Sequence, residues 1–86
     1  MNVVFQALAF DQYVEWQKLD RNVLNKINRL IAECQRHPFE GAGKPEALRG
    51  AYAGWWSRRI DREHRLGYRV NGTALEIAQC RYHYQK

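Results

Sequence analysis

The sequence predicts an α+β fold: a strand, two helices, and then an antiparallel meander of three strands. Two observations lead to this prediction. Between about residues 8 and 36, apolar side chains recur every three or four positions, the spacing of helices that bury one face. From residue 55 onward, apolar and polar side chains alternate, and short turn sequences divide this stretch into strands. We expect the helices to pack on one face of the sheet and the other face to stay open, within a single domain of residues 1–86.

The first strand and both helices are predicted from residues 1–36. The run Val3-Val4-Phe5 is rich in β-branched and aromatic side chains, as strands are. A helix follows from near Leu8 to about Asp20, and the Asp20 carboxylate is a suitable N-cap for the second helix. The second helix ends before Pro38 and has one apolar face, formed by Val23, Leu24, Ile27, Leu30, Ile31 and Cys34.

Residues 37–50 are predicted to form a long loop. They hold both prolines and three of the six glycines. This segment is longer than the usual connection between elements, which has about four to six residues. Long structured loops in compact domains often carry function. Beyond the loop we expect strands at about residues 55–60, 64–70 and 73–82, with Asn71-Gly72 as a tight two-residue hairpin turn.

The net charge of +5 lies entirely in the second half of the chain. Residues 1–43 carry five basic and five acidic side chains, whereas residues 44–86 carry nine basic and four acidic ones, and seven of those nine are Arg. A clustered cationic surface favours a polyanion or an acidic protein as partner, and Arg grips phosphate through its planar fork. A basic surface that is merely solvated would give the same sequence, so the charge alone leaves both interpretations open.

The cysteines, the histidines and the apolar runs argue against several classes of protein. Cys34 and Cys80 lie in apolar segments without Cys-x-x-Cys or Cys/His ligand spacing, so we expect buried free thiols. His37, His64 and His83 lack the spacing of metal ligands, and we expect neither a metal nor a cofactor. The first residues do not resemble a signal peptide, and no apolar run approaches the ~18 residues of a membrane span. We therefore expect a cytoplasmic protein that does not enter membranes.

The arginines of the predicted strands indicate a surface for RNA. Arg59, Arg65, Arg69 and Arg81 all fall on these strands. Because Arg is rarely buried without a partner, we expect most of them to project from the open face of the sheet. Such a basic surface suits the RNA backbone.

Glu46 and His83 would supply acid–base chemistry beside these arginines. Cleavage of RNA by its own 2′-hydroxyl needs no metal ion, because the nucleophile is tethered next to the phosphate. The reaction needs a base for the 2′-oxygen, cations for the phosphoryl oxygens and an acid for the 5′-oxygen, and the chain offers all three. Glu46 and His83 could instead be surface side chains without a catalytic role. Arg65 could form a structural salt bridge with Asp61 or Glu63.

Four segments of the chain recur in this order in one known family. They are His37-Pro38-Phe39-Glu40-Gly41 continuing through Gly43-Lys44-Pro45-Glu46-Ala47-Leu48, then Trp56-Ser57-Arg58-Arg59-Ile60, then Glu63-His64-Arg65-Leu66, and last Cys80-Arg81-Tyr82-His83-Tyr84. With them the chain closely resembles the YoeB (Txe) family of bacterial toxins, within the RelE-like superfamily. The resemblance implies a fold similar to microbial ribonucleases and a ribosome-associated endonuclease that cuts mRNA in the decoding site.

The resemblance also implies roles for individual residues. Glu46 would be the general base, Arg65 the main transition-state cation and His83 the general acid. Tyr84 would orient the nucleotide or the reacting phosphate, and Arg59 would support the phosphate. Further RNA or phosphate contacts are expected of Lys44, Arg49 and Arg81.

The family resemblance implies partners as well. Members are held silent by a cognate antitoxin, so we expect an acidic, partly disordered antitoxin segment as a partner, together with the ribosome and mRNA. A homodimer stays open, and operator DNA would be contacted indirectly through the antitoxin. Arg49 and Gly67 replace a Lys and a larger apolar residue of the family, and Gln85 and Lys86 follow its usual terminal His-Tyr pair.

Two other functions compete with the nuclease. A non-catalytic protein could use the same arginine surface to bind RNA or the ribosome and block translation by occupancy. A DNA-binding regulator of the helix-turn-helix type is disfavoured, because the amphipathic helix at 23–34 is followed by a loop and strands rather than a recognition helix.

Overall fold

The computed structural model describes residues 1–83, and their order of elements agrees with the prediction. The α+β class is confirmed, and the sheet has five strands: the first strand and the three-stranded meander that were predicted, and one short strand that was not. The elements, in chain order, are β1 (Asn2–Phe5), α1 (Ala7–Leu19), α2 (Arg21–Arg36), β2 (Glu46–Ala47), a 3₁₀ turn (Gly50–Tyr52), β3 (Trp56–Arg59), β4 (Arg65–Asn71) and β5 (Ala74–Gln79).

The start of α2 confirms the predicted N-cap. The Asp20 carboxylate accepts hydrogen bonds from the backbone N–H groups of Asn22 at 2.9 Å and Val23 at 3.2 Å, which satisfies two donors that the first helical turn would otherwise leave unpaired. The predicted apolar face of the helix is buried at Leu24, Ile27, Leu30, Ile31 and Cys34.

The sheet order is β1-β5-β4-β3-β2. Strands β3, β4 and β5 form the predicted antiparallel meander, while β1 joins one edge parallel to β5. At the other edge β2 pairs with β3, so the loop prediction for residues 37–50 is wrong at Glu46–Ala47. Two residues are too few for an alternation to be visible in a sequence, and the hydrogen bonds that make them a strand come from β3.

The hairpin between β4 and β5 lies one residue later than predicted. Asn71 pairs with Ala74, so the two-residue turn is Gly72-Thr73, and Gly72 takes the left-handed conformation with φ +61°. β5 ends at Gln79, three residues before the predicted end of the last strand. The residues after Gln79 are therefore free of the sheet ladder and can turn toward another part of the molecule.

The hydrophobic core lies between the helices and one face of the sheet. Trp16 donates its indole N–H to the Cys80 carbonyl at 2.9 Å, and the Gln12 side chain accepts from the Cys80 N–H at 2.8 Å, so α1 holds the end of the chain. Both predicted free thiols are buried. The core residues are Ala9, Trp16, Leu24, Ile27, Leu30, Ile31, Cys34, Ile60, Leu66, Tyr68, Leu75, Ile77 and Cys80. Within residues 1–83, no helix has the length and hydropathy to cross a membrane.

Candidate active site

A cavity of about 660 Å³ contains most of the site residues expected from the sequence. Its wall is built by the loop before β2, the 3₁₀ turn, strands β2 to β4 and the tail after β5. Of the eight expected site residues, six line this cavity: Lys44, Glu46, Arg49, Arg59, Arg65 and His83. Arg81 does not line it, and Tyr84 lies outside the described residues.

The register of the sheet explains why these side chains meet. Glu46 lies opposite Ser57, and Arg59 lies opposite Arg65. Directly opposed residues share a face of a sheet, and so do residues two apart on one strand, such as Ser57 and Arg59. All four therefore project from the same face. Arg58, between Ser57 and Arg59, points to the helix-covered face.

The loop that leads to Glu46 folds back tightly onto β3. Gly43 has φ +82°, and a Cβ at this position would lie 3.0 Å from the Arg59 carbonyl oxygen. The Gly43 carbonyl accepts the Arg59 N–H at 2.6 Å, and Lys44 continues the turn with φ +52°. A residue without a side chain is needed where two backbones come this close. This contact delivers Glu46 into β2 beside the cavity.

Arg58 fixes the earlier part of the same loop, a role that was not predicted from the sequence. Its side chain is fully buried. Nε donates to the Tyr68 hydroxyl at 3.1 Å, and the Tyr68 hydroxyl donates to the Pro38 carbonyl at 2.6 Å. The two terminal nitrogens donate to loop carbonyls, namely those of His37, Glu40 and Ala42. A buried guanidinium is tolerated when its donors are satisfied in this way.

Glu33 completes this buried network. Its Oε1 lies 3.8 Å from Arg58 Nη1 and accepts the Ala42 N–H at 2.9 Å. Burial raises the pKa of Tyr68 to about 12 and that of Cys34, beside it, to about 11. The sequence held one signal for this network, because Arg58 occupies the same alternation as Trp56 and Ile60, on the apolar side of β3.

Arg65 is largely buried, and backbone carbonyls hold one end of its guanidinium. Nη1 donates to the carbonyls of Asp61 at 2.8 Å, His64 at 3.1 Å and Arg62 at 3.4 Å. Among residues 1–83 these three are the side-chain hydrogen bonds of Arg65, and all of them come from Nη1. The alternative of an Arg65 salt bridge to Asp61 or Glu63 is wrong, because the contact uses the Asp61 carbonyl.

The Asp61 carboxylate binds backbone N–H groups of its own turn rather than Arg65. It accepts the N–H groups of Glu63 at 2.8 Å and His64 at 2.7 Å, which closes the turn between β3 and β4. Burial acts to raise the pKa of Asp61, but these two hydrogen bonds outweigh it and the pKa lies below its ordinary value. The turn carbonyls that hold Arg65 are thereby fixed in place.

The C-terminal tail brings His83 to the cavity. The Tyr82 carbonyl accepts the Arg65 N–H at 2.9 Å, so the tail runs alongside the start of β4. Tyr82 has φ +65°, a left-handed conformation that turns the chain sharply. His83 follows and lines the cavity with Arg65.

Two of the predicted strand arginines lie outside the cavity. Arg81 is not on a strand, since β5 ends at Gln79, and it pairs with Glu15 of α1 at 3.2 Å. The prediction that Arg81 lies on a strand is therefore wrong. Arg69 donates to the Glu76 carboxylate and lies 4.5 Å above the ring of Trp55.

The cavity combines one carboxylate, one imidazole and an excess of positive charge. Within the described part of the chain, residues 1–83, four cationic side chains, those of Lys44, Arg49, Arg59 and Arg65, line it together with one carboxylate, that of Glu46. Such a site attracts a phosphate group and offers it both a proton acceptor and a proton donor. Among residues 1–83, no group of three His, Cys, Asp or Glu side chains is close enough to hold a metal ion.

Comparisons with known proteins agree on one family. The family model for YoeB-like toxins of bacterial type II toxin–antitoxin systems matches residues 5–84. The toxin YoeB of Escherichia coli K12 is 49% identical over 84 residues, which are 98% of this chain and the whole of that protein. A solved structure of a YoeB/ParE toxin from Agrobacterium tumefaciens is 50% identical, covers 98% of this chain and 100% of its own, and superposes with a TM-score of 0.95.

Further solved structures show assemblies of relatives. A YoeB dimer from Staphylococcus aureus is 42% identical with a TM-score of 0.91, and a heterotetrameric YoeB-YefM toxin–antitoxin complex from the same organism is 42% identical with a TM-score of 0.90. Each comparison covers 98% of both chains. A solved structure of YafQ from E. coli shares the fold at 16% identity and a TM-score of 0.72. The chain belongs to the family of YoeB-like toxins of bacterial type II toxin–antitoxin systems.

Proposed function

We propose that this toxin is a ribosome-dependent mRNA endonuclease that uses the RNA's own 2′-hydroxyl as the nucleophile. The observation that carries the proposal is the meeting of Glu46, Arg65 and His83 in one cationic cavity. These residues come from three separate elements, a loop strand, β4 and the tail, so nothing but the fold brings them together. They supply the base, cation and acid that the reaction needs.

The proposed reaction moves two protons and exchanges one bond at phosphorus. The Glu46 carboxylate accepts the proton of the 2′-hydroxyl, and the 2′-oxygen then forms a bond to the adjacent phosphorus. Arg65, with Arg59 beside it, stabilises the negative charge that gathers on the phosphoryl oxygens. The bond from phosphorus to the 5′-oxygen breaks as protonated His83 gives its proton to that oxygen. The products are a 2′,3′-cyclic phosphate and a free 5′-hydroxyl, and water can open the cyclic phosphate to a 3′-phosphate.

The remaining predicted residues take supporting roles in this proposal. Lys44 and Arg49 line the cavity and would bind flanking phosphates of the mRNA strand. Tyr84 follows His83 directly in the chain and would orient the nucleotide at the reacting phosphate. We leave Arg81 out of the site, because its guanidinium pairs with Glu15.

An antitoxin is the proposed inhibitor. The YoeB-YefM complexes of relatives are toxin–antitoxin assemblies, and the cationic cavity of this chain suits an acidic, partly disordered segment that folds on binding. We further propose the ribosome and mRNA as targets, the cytoplasm as the site of action, and operator DNA as a partner reached only through the antitoxin. The YoeB dimer of a relative supports a homodimer as well.

The decisive experiment compares three purified proteins on programmed ribosomes: wild type, Glu46→Gln and His83→Gln. Each variant removes one proton-transfer group and keeps a similar size, and we expect each to slow mRNA cleavage by about 10²–10⁴-fold while ribosome binding changes little. Glu40→Gln and His37→Gln are matched controls, since both side chains are exposed and lie outside the cavity. Cleaved mRNA should end in a 2′,3′-cyclic phosphate or a 3′-phosphate.

The alternative function predicts a different result. A protein that only occupies the ribosome would inhibit translation and leave the message intact, and Glu46→Gln would then strengthen or preserve inhibition by removing a negative charge. Intact mRNA under full translational arrest would overturn the nuclease proposal.

A further inference from the structure

His64 is a buried polar side chain to which the proposed reaction gives no role. It is 8% exposed, and its ring meets the ring of Trp16 almost at right angles, with centroids 4.9 Å apart. On its other side lies the ring of Tyr82, at 5.9 Å. His64 Nδ1 accepts the backbone N–H of Tyr82 at 2.8 Å. The ring is therefore clamped between α1 and the C-terminal tail.

This hydrogen bond fixes the tautomer of the imidazole. Because Nδ1 accepts a hydrogen bond from the Tyr82 N–H, it cannot carry a proton itself, so the neutral ring holds its proton on Nε2. Nε2 faces Glu63, whose Oε1 lies 3.7 Å away. His64 acts toward the tail as a hydrogen-bond acceptor only.

The Tyr82 backbone needs such an anchor. A left-handed φ of +65° is unfavourable for a residue with a side chain and persists only where the surroundings hold it. Here the N–H is held by His64, and the carbonyl accepts from the Arg65 N–H at 2.9 Å and from Gln79 Nε2 at 3.2 Å. The next residue after this held turn is His83.

The backbone of His64 also supports Arg65. Its carbonyl accepts from Arg65 Nη1 at 3.1 Å, and its N–H is fixed by the Asp61 carboxylate. One residue thus holds the guanidinium through its carbonyl and the tail through its ring.

We propose that His64 is a positioning residue that sets His83 against the phosphate held at Arg65, by accepting the Tyr82 N–H. The proposal deepens the proposed nuclease function and rests on it. A displacement of about 1 Å in a proton-transfer group reduces a rate by about 10²-fold, so loss of this single anchor should appear in the chemical step.

Two substitutions separate the acceptor from the rest of the side chain. His64→Phe keeps a ring against Trp16 and leaves the backbone carbonyl in place but has no acceptor. His64→Asn loses the ring, yet its Oδ1 occupies the position of Nδ1 and can accept the Tyr82 N–H. We expect His64→Phe to slow single-turnover cleavage by about 10²-fold with ribosome affinity unchanged, and His64→Asn to recover at least about tenfold of that loss. Merely structural damage would follow the loss of ring packing and make Asn the worse variant.

A second readout does not depend on nuclease activity. In the unsubstituted protein, ¹⁵N spectra should show His64 as the Nε2–H tautomer with a coupling across the hydrogen bond to the Tyr82 nitrogen. Exchange of the Tyr82 amide hydrogen should be at least about tenfold faster in His64→Phe than in His64→Asn. An Nδ1–H tautomer, or equal cleavage by wild type and His64→Phe, would overturn the proposal. If the wild type cleaves no RNA but the coupling is present, the nuclease proposal fails and the anchor itself stands.

Discussion

The side chains of Arg58 and Arg59 leave neighbouring positions of β3 toward opposite faces of the sheet. Arg58 is fully buried on the helix-covered face, where Tyr68, Glu33 and three loop carbonyls surround its guanidinium. Arg59 is exposed and lines the cavity on the other face. Arg58 holds the loop that carries Glu46, whereas Arg59 lines the cavity, where we propose that it binds a phosphate. Chemically identical side chains are thus buried or exposed according to the face of the sheet on which they lie.

The difference between Arg58 and Arg59 should be largest in the free energy of unfolding when each is replaced in turn. Arg58→Met should lower it by about 3 kcal/mol, because the loop carbonyls and the Tyr68 hydroxyl all lose the donor that Arg58 supplies. Arg59→Met, the matched control on the next residue, should change it by less than about 0.5 kcal/mol. Urea unfolding followed by tryptophan fluorescence measures both. Equal losses in the two variants would contradict the assignment of Arg58 to the loop.

A second comparison tests the contact of that loop with α2. A Cβ at Gly41 would lie 1.9 Å from Glu33 Oε1, whereas a Cβ at Gly54 would meet no atom within 4 Å. Both glycines have positive φ, +112° and +93°, so alanine strains the backbone at each by about 1 kcal/mol. Gly41→Ala should cost about 2 kcal/mol because the clash adds to the strain. If the same unfolding assay gives Gly54→Ala the larger loss, the loop does not lie against Glu33.

Alkaline pH should destabilise the helix-covered face. Burial raises the pKa of Cys34 from 9.0 to about 11, that of Cys80 from 9.0 to about 12 and that of Tyr68 from 10.0 to about 12. Each group ionises more easily in the unfolded chain, so its contribution to stability is complete below about pH 9 and is lost as the pH rises through 11 to 12. Thermal melts across pH 8 to 11 should show a steady fall above about pH 9. The melting temperature of Cys80→Ala should fall less steeply with pH, because one buried thiol is removed. A melting temperature of the wild type that does not change with pH would contradict burial of these groups.

The smallest expected effect concerns salt. Arg59→Met should reduce the slope of log affinity for the programmed ribosome against log salt concentration by roughly one unit or less, since one phosphate contact is lost. Arg29→Met, on the exposed side of α2, should leave the slope unchanged. A slope that changes equally in both variants would place Arg59 outside the RNA path.

The sequence alone predicted most of the fold. The 3.6-residue period of α2 and its Asp20 cap were visible because they depend on residues close in the chain. The meander was predictable from alternation, but the pairing of β1 with β5 and of β2 with β3 was not, because it joins residues that are distant or too few to show a pattern.

The same distinction applies to the candidate site: residue types could be recognised from the sequence, whereas contacts between distant elements could not. The residue types of Glu46, Arg65 and His83 indicated acid–base chemistry at a phosphate. Arg58 and His64 were not predicted as structural supports, because a buried polar side chain is recognised by its partners, and those partners come from other elements. Arg81 was wrongly placed on the last strand, because that strand was expected to continue to Tyr82 and it ends at Gln79.

The most direct test of the central claim changes the leaving group of the reaction. An mRNA in which sulfur replaces the 5′-oxygen at the cleavage position expels a thiolate, which needs no proton from an acid. His83→Gln should cleave this message at a rate close to that of the wild type, whereas Glu46→Gln should stay slow because the 2′-hydroxyl still needs a base. If His83→Gln is as slow as Glu46→Gln on the sulfur substrate, His83 is not the acid, and if Glu46→Gln also reaches the wild-type rate, Glu46 is not the base.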